Sequence, residues 1–281
     1  MGGRRRRDDL AGCAQVLAYN RGVQETVWDY FAKHGRDMPW RQPEADGSFD
    51  PYKILVSEVM LQQTQVSRVI PKYLVFIQQF PTAQSLAQAP LAAVLKAWSG
   101  LGYNRRAQYL HKATQRIGDD FPQTLAGLVA LPGVGHNTAA AVMNYAYNQA
   151  TPFIETNIRT VYIHHYFQDH TDVDDKQLLQ LVAETLDHEH PREWFWALMD
   201  YGAHLKNTVG NLNRNSKHYA KQSTFQGSRR QIRGQVIKLL NEAPQSKAGM
   251  TKTIPDERLD SVLADLVKEG LIAKHKSLYN I

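Results

Sequence analysis

The chain carries a glycine-rich string, Leu131-Pro-Gly-Val-Gly-His-Asn-Thr-Ala139, between two segments with helical periodicity. Gly133 and Gly135 allow backbone angles and close approaches that a side chain would block. The helix expected from about Asn137 begins with N–H groups that point outward, where a phosphate oxygen accepts them. The string therefore favours a helix-hairpin-helix element that binds a nucleic-acid backbone, although an ordinary turn between packed helices has the same local pattern. The predicted backbone contacts come from Leu131, Gly133, Val134 and Gly135.

The segments around this string predict an all-α main domain, because little before residue 225 alternates with period two. A helix, a short helix, a longer helix over Pro255–Glu269 and a hairpin follow, which is the order of a winged helix-turn-helix domain. Such a domain binds DNA or mediates protein contacts, and the pattern leaves both open. Four parts are predicted: a basic flexible tail (1–20), a main domain (21–205), a basic linker (206–229) and a winged-helix-like domain (230–281).

The composition excludes several classes of protein. The chain has 281 residues, a net charge of +6 and a pI near 9.3, so polyanions are plausible partners. Its one cysteine, Cys13, excludes an intramolecular disulfide framework and any multi-cysteine metal site. No apolar run approaches the roughly 18 residues of a membrane helix. Asp8 and Asp9 follow the N-terminal arginines without a long apolar run, so a secretory signal is not expected and a cytoplasmic protein is.

The residues from 203 to 233 change in character, since they include seven lysines and arginines and no aspartate or glutamate. This stretch is either a solvated linker or a strip that contacts a nucleic-acid backbone.

Glu58 lies in the segment Tyr52–Gln65, which has helical periodicity. On a helix it shares a face with Ile54, Leu55 and Leu61, and poor solvation there favours the protonated carboxyl group. A protonated carboxyl group can act as a general acid near neutral pH. A structural ion pair with Arg or Lys is the alternative role.

Glu155 follows an apolar stretch and precedes a predicted helix. A carboxylate at that position caps the helix and is stabilised by its dipole. The same charge can stabilise an oxocarbenium-like sugar, so the capping and catalytic roles are compatible.

Four strings, in order, resemble one known family. They are Ser57-Glu-Val-Met-Leu-Gln-Gln-Thr-Gln-Val66, Trp98-Ser-Gly-Leu-Gly-Tyr103, Leu131-Pro-Gly-Val-Gly135 and Phe153-Ile-Glu-Thr-Asn-Ile-Arg159. Together they closely resemble helix-hairpin-helix DNA glycosylases of the MutY type, over roughly residues 24 to 205. That family flips adenine mispaired with 8-oxoguanine out of the stack and removes it. The resemblance implies a two-lobed core and double-stranded DNA with a mismatch or oxidised guanine as partner, and we expect a monomer.

The resemblance also implies roles for individual residues. Glu58 matches the general acid that protonates the adenine ring, and Gln63 matches a residue that inserts near the lesion. Tyr103 matches the wedge that stacks into the duplex, and Asn157 matches an asparagine near the sugar-stabilising carboxylate. The hairpin glycines match a phosphate-binding turn that often holds a monovalent cation on its carbonyls.

Three departures from the family pattern affect the predicted chemistry. Glu155 stands where the family has an aspartate. Asn137 stands where bifunctional relatives have a Schiff-base lysine, so a monofunctional enzyme is expected. The four-cysteine iron–sulfur loop is absent, so no cluster is expected. Four basic residues would supply the DNA contacts that the cluster loop usually organises: Lys206, Arg214, Lys217 and Lys221.

The unit over 230–281 is too short for the Nudix-like domain with which the family reads 8-oxoguanine, so recognition of the opposite base is expected from the catalytic domain, aided by the winged helix. The sequence predicts a glycosylase that excises adenine opposite 8-oxoguanine or guanine. A thymine or uracil mismatch glycosylase and a non-catalytic DNA-binding protein are the alternatives.

Overall fold

The computed structural model of the protein describes residues 3–118, 120–221 and 224–281, with side chains from Gln15 onward. Helices dominate, so the predicted all-α class is confirmed. The helices are α1 Gly3–His34, α2 Pro51–Leu61, α3 Val66–Gln79, α4 Ala83–Gln88, α5 Leu91–Ala97, α6 Arg105–Ile117, α7 Leu125–Val129, α8 His136–Tyr145, α9 Thr156–Tyr166, α10 Asp175–Glu184, α11 Pro191–Thr208, α12 Arg229–Glu242, α13 Lys247–Thr253 and α14 Leu259–Lys268. The strands are β1 Gln245–Ser246, β2 Ala273–His275 and β3 Leu278–Asn280.

The chain divides into two compact units. The first unit combines Met1–Asp37 with Met143–Ala220, and the second combines Met38–Val142 with Lys221–Ile281. Where the structure describes the chain, no helix has both the length and the apolar character needed to cross a membrane.

In the first unit, α11 packs closely along α9. Trp194 and Phe195 of α11 and Ile158 of α9 are fully buried. Gly202 on α11 makes the closest approach, because a Cβ atom there would lie only 2.2 Å from the carbonyl oxygen of Asn157. The contact fixes the first turn of α9 against α11, and only glycine fits it.

The first helix begins inside the segment predicted to be a flexible tail. The sequence predicts that tail over 1–20, whereas the backbone is helical from Gly3, so the prediction is wrong for the described residues. The Tyr19 hydroxyl donates to the carbonyl of His165 at 2.5 Å, and the Tyr166 hydroxyl donates to Asn20 at 2.9 Å. These contacts with α9 are long-range, and local periodicity gives no sign of them.

The segment predicted as a basic linker over 206–229 is partly structured. Helix α11 continues to Thr208, and a short 3-10 helix spans Leu212–Asn215. Val173 then pairs with this segment, donating to Asn215 O at 2.9 Å and accepting from Lys217 N at 3.0 Å. The residues up to Lys217 therefore belong to the first unit and are not a free linker.

In the second unit, helices α2 to α6 surround a core that includes Leu55, Phe76, Leu95 and Trp98, all at most 1 % exposed. Helix α6 packs against α2, α4 and α5. It therefore lies beside the segments that carry the candidate site.

The C-terminal part of the chain has a winged-helix-like arrangement. Its strands form an antiparallel sheet in the order β1-β3-β2, with Tyr279 opposite both Gln245 and Lys274. The prediction of a helix from Pro255 is wrong, because α14 begins only at Leu259. The Asp256 side chain accepts from the N–H of Arg258 at 2.9 Å, so this segment forms a turn before the helix.

This C-terminal part packs within the second unit instead of standing apart as a separate domain. Helix α12 contacts α5, and the Gln108 side chain on α6 donates to the carbonyls of Glu269 and Gly270, each at 2.9 Å. The end of α14 is therefore held against α6 by two hydrogen bonds that one side-chain amide donates.

We expect Gly202→Ala to lower the free energy of unfolding by about 3 kcal/mol, because the new methyl group must displace the backbone of Asn157. Urea denaturation followed by circular dichroism measures the change. Gly22→Ala is the matched control, since it places a methyl group in open space on α1 and should be neutral or stabilising. Equal unfolding midpoints for Gly202→Ala and the wild type would contradict the close packing.

Candidate active site and nucleic-acid interface

Glu58 lies in the last turn of α2. The helix begins at Pro51 behind Asp50, whose side chain accepts from the N–H of Tyr52 at 2.8 Å. Ile54 and Leu55, one turn before Glu58, are buried, and Glu58 itself is half-buried. Glu58 therefore lies beside apolar residues on a helix, as the sequence predicts.

The guanidinium group of Arg106 organises the end of this helix. Its Nη1 atom donates to the carbonyl oxygens of Val59 at 2.8 Å, Met60 at 2.9 Å and Gln62 at 2.6 Å. Carbonyls in the last turn of a helix lack intrahelical partners, so Arg106 satisfies groups that the end of α2 leaves exposed. The position of the Glu58 turn thus depends on a side chain from α6.

The same guanidinium group also reaches the loop before α6. Its Nη2 atom donates to the carbonyls of Leu101 at 3.3 Å and Gly102 at 3.1 Å and to the Thr64 hydroxyl at 3.1 Å. Burial lowers the pKa of Arg106 to about 10, so the group remains charged at neutral pH. One partly buried cation therefore joins α2, the segment after it and the loop that ends at Tyr103.

Gln63 and Tyr103, predicted to enter the duplex, share an unusual backbone conformation. Gln63 has φ 55° and Tyr103 has φ 48°, both in the left-handed region that non-glycine residues seldom occupy. Gln63 is exposed, and Tyr103 is 38 % exposed. Such conformations persist where the surroundings hold them, and they often mark ligand-contacting positions.

The hairpin predicted from residues 131–139 is present between α7 and α8. Gly133 has φ 74°, and a Cβ atom there would lie 2.5 Å from the Cβ of Tyr109 on α6, so the turn requires glycine. Leu131 and Val134 are buried. Any contact of these two residues with DNA is therefore made by the backbone, since their side chains face the core.

Helix α8 begins at His136, and its hydrogen-bond ladder starts with Ala139 N donating to Gly135 O at 2.9 Å. Asn137 is exposed on the first turn. The Gln62 side chain donates to the Thr138 hydroxyl at 3.3 Å and connects the end of α2 to this turn. The Glu58 helix and the hairpin are therefore linked directly.

In the first unit, Glu155 caps α9 as the sequence predicts. Its Oε1 atom accepts from the N–H groups of Asn157 at 2.6 Å and Ile158 at 3.0 Å. Burial raises the pKa of the Glu155 carboxyl above its ordinary value, and these hydrogen bonds and the charge of Arg159 offset only part of that effect. Burial therefore opposes the ionised state that the sequence predicts for Glu155.

Asn157 lies in the same turn, which is held from two sides. Gly202 of α11 packs against its backbone. The buried Asn213 side chain donates to the Thr156 carbonyl at 3.2 Å and to the Thr160 hydroxyl at 2.8 Å. The segment that contains Asn213 thus supports the turn that carries Glu155 and Asn157.

The four basic residues predicted to contact DNA are exposed. Lys217 lies 3.6 Å from Asp174, so its charge is partly compensated. Lys206 is in the last turn of α11, and Arg214 is in the 3-10 helix next to Asn213. Lys221 belongs to the second unit.

The residues present do not fit an iron–sulfur cluster. Four thiolates are required, and the chain contains one cysteine, Cys13. Among the residues that the structure describes, no group of three or more His, Cys, Asp or Glu side chains is arranged for a metal ion.

The structure divides the predicted site residues between the two units. Glu58, Gln63, Tyr103, the hairpin and Asn137 belong to the second unit, whereas Glu155 and Asn157 belong to the first. Each set is internally connected by hydrogen bonds or close packing.

Sequence reasoning missed three residues that position these groups. Arg106 and Asn213 act through long-range hydrogen bonds and have no local signal. Gly202 does have a local signal, because a glycine inside a helix lowers its stability and usually marks a close approach of another backbone.

Comparison with known proteins gives the same assignment to a family. Residues 56–186 match the family described as "HhH-GPD superfamily base excision DNA repair protein". A relative named adenine DNA glycosylase, from Mycolicibacterium smegmatis, is 33% identical over 268 residues, which cover 84% of this chain and 88% of the relative. A second with that name, from Buchnera aphidicola, is 32% identical over 72% of this chain, and the chain spans 60% of its length.

Solved structures show the same fold. A thermostable thymine-DNA glycosylase superposes with a TM-score of 0.58 at 24% identity, covering 67% of this chain and 88% of that structure. An endonuclease III–DNA complex superposes with a TM-score of 0.52 at 17% identity, covering 64% of this chain and 84% of that one.

We expect Arg106→Lys to lower the free energy of unfolding by about 3 kcal/mol, because one ammonium cannot reach all the carbonyls that the guanidinium serves. Urea denaturation measures the loss. Arg105→Lys is the matched control, since the Arg105 side chain is 53% exposed, and its change should stay within about 0.5 kcal/mol. Similar small losses in both variants would argue against the organising role of Arg106.

We expect Glu155→Gln to melt at a higher temperature than the wild type at pH 8. The raised pKa of Glu155 means that the fold loses stability as the pH rises through it, and the amide removes this cost. The gap should narrow as the pH falls toward the ordinary value of 4.5. Thermal melting across this range tests the expectation, with the exposed Glu25→Gln as control, and a lower melting temperature for Glu155→Gln at pH 8 would refute it.

Proposed function

Because the chain belongs to the HhH-GPD superfamily of base excision DNA repair proteins, and within it to the adenine DNA glycosylases, we propose that it excises adenine opposite 8-oxoguanine or guanine from double-stranded DNA. The proposed reaction is hydrolysis of the N-glycosidic bond. Water adds at C1′ of the deoxyribose, and adenine leaves with a proton.

The observation that carries this proposal is the Arg106 network in the second unit. One guanidinium group holds the carbonyls that follow Glu58 and the loop that ends at Tyr103. Gln62 links the same helix end to the hairpin through Thr138. These bonds support the proposal because they connect the residues to which it gives three roles: general acid, duplex-entering aromatic residue and phosphate-binding turn.

In the proposed mechanism, Glu58 donates a proton to the adenine ring and so makes the base a better leaving group. Glu155 supplies negative charge that stabilises the oxocarbenium-like sugar as the bond breaks. Asn157 follows Glu155 in the same turn, where its side chain is available to orient water or the sugar. This division of roles requires Glu58 to be protonated and Glu155 to be ionised in the DNA complex.

Glu155 is the less conventional member of the pair. Its two backbone hydrogen bonds hold the Oε1 atom toward the helix, and they favour the ionised form against the effect of burial. The positive deoxyribose of the transition state would favour that form further. We therefore propose that the charge on Glu155 is used when the sugar becomes cationic.

Asn137 supports a monofunctional enzyme, because an amide cannot form the Schiff base of a lyase reaction. Exposed Lys206, Arg214 and Lys221 would contact phosphates in place of a cluster loop. The proposed enzyme uses no iron–sulfur cluster. A monovalent cation at the hairpin, a monomeric state and a cytoplasmic location stay predictions.

We expect the protein to cleave only duplexes with adenine opposite 8-oxoguanine or guanine, and to leave thymine or uracil opposite guanine intact. Single-turnover assays on end-labelled duplexes, with alkali added to open abasic sites, measure this. Strand breaks should require the alkali, since Asn137 leaves no lyase nucleophile at that position. Cleavage of the thymine duplex alone would favour the mismatch thymine glycosylase, and no cleavage of any duplex would favour a non-catalytic DNA-binding protein.

Glu58→Gln serves as the inactive variant in the same assay. Loss of the acid should reduce the excision rate by about 100-fold or more while DNA affinity is retained. The exposed Glu25→Gln on α1 makes the same chemical change elsewhere and should cleave at the wild-type rate. Excision by Glu58→Gln at the wild-type rate would show that Glu58 is not the general acid.

A further inference from the structure

Tyr103 is contacted by an arginine from the C-terminal part of the chain. The Nη1 atom of Arg230, on α12, donates a hydrogen bond to the Tyr103 hydroxyl. The guanidinium carbon of Arg230 lies 5.6 Å from the centre of the ring, within range of a cation–π interaction. Arg106 lies 5.5 Å from the same ring centre. The exposed ring and its left-handed backbone are thus held by two cations.

Arg230 is placed by a well-anchored helix start. The neighbouring Arg229 pairs with Asp265 at 2.6 Å and donates to the Ser261 hydroxyl at 2.8 Å. One turn later, Arg233 donates to both carboxylate oxygens of Glu269, at 3.2 Å and 2.5 Å. These residues fix α12 to α14 inside the C-terminal part, whereas Arg230 extends from the same turn to Tyr103.

The anchoring continues to the helix that begins just after Tyr103. Gln108 of α6 donates to the carbonyls of Glu269 and Gly270, and Arg105 lies 3.9 Å from Glu269. The same carboxylate therefore meets Arg233 from α12 and Arg105 from α6. As a result, α6, α12 and α14 hold Arg230 and Tyr103 together as one structural element.

The charge of the C-terminal part suits a nucleic acid. Residues 229–281 contain ten lysines and arginines and six aspartates and glutamates. Lys274 and Lys276 are exposed on the hairpin of β2 and β3. Residues 229–281 therefore carry a net positive charge and include Arg230, which contacts Tyr103. This charge favours DNA as the binding partner of this surface.

We propose that Arg230 is a specificity-determining residue, which acts with Tyr103 on the base opposite the excised adenine. The inference rests on the proposed function, in which Tyr103 enters the duplex at the mismatch. A guanidinium fork matches the paired O6 and N7 acceptors on the edge of guanine, and few other side chains offer that geometry. The C-terminal part thereby contributes a residue to the reading of the opposite base.

The test measures binding separately from cleavage. Duplexes carry 2′-fluoro-2′-deoxyadenosine, which resists excision, opposite guanine or opposite thymine. The ratio of the two dissociation constants, from fluorescence anisotropy with the full chain, gives the selectivity. Arg230→Ala should lower the selectivity about 10-fold, and Arg230→Lys should not restore it, because an ammonium lacks the fork.

Lys238→Ala is the matched control, since it removes the same charge from an exposed position on the same helix and should keep the wild-type selectivity ratio. Tyr103→Ala combined with Arg230→Ala should lose no more selectivity than Tyr103→Ala alone, because the two residues act as one unit. Arg230→Gln, which keeps most of the side chain, replaces Arg230→Ala if thermal melting shows that the alanine variant is unfolded.

Two results would overturn the role of Arg230. In one, Arg230→Ala weakens binding to both duplexes equally and Arg230→Lys restores it, which identifies a phosphate contact. In the other, the wild type shows no selectivity between the two duplexes. The proposed function fails separately: selective binding that depends on Arg230, without excision from ordinary adenine duplexes, would refute the glycosylase activity and retain the recognition role.

Discussion

The candidate site in the second unit depends on one partly buried cation, the guanidinium group of Arg106. It donates hydrogen bonds to carbonyls at the end of α2 and in the loop before α6. Helix ends are usually capped by local residues, but here the partner comes from more than 40 residues away. A planar group with several donors can join two such segments at once. The positions of Glu58 and Tyr103 are therefore coupled, because the same side chain supports both backbones.

In the first unit, two opposing effects act on the protonation state of Glu155. Backbone hydrogen bonds favour the charge on Glu155, while burial favours the neutral form. The first turn of α9 is nevertheless held in place by the packing of Gly202 and by the hydrogen bonds of Asn213. A carboxylate that is costly to bury, in a turn held this tightly, is typical of a residue retained for chemistry instead of stability.

The C-terminal part carries Arg230, the residue proposed to read the opposite base. Its winged-helix-like order was visible in the sequence, but its packing against α5 and α6 was not, since the contacts of Gln108 and Arg230 span more than 120 residues. The starts of α1 and α14 were misplaced for a related reason. Apolar periodicity locates buried faces. It does not report the contact of Tyr19 with α9 or the turn that Asp256 forms before α14.

By itself, the sequence determined the all-α class, the hairpin, the helix that carries Glu58 and the capping position of Glu155. Each of these follows from local spacing, from glycine chemistry or from the ordered motifs. Only the tertiary structure decided that Leu131 and Val134 face the core, that Asn213 supports the Glu155 turn, and that Arg106 and Arg230 converge on Tyr103. Those features arise from contacts between residues far apart in the chain, and such contacts leave no periodic or local pattern to read.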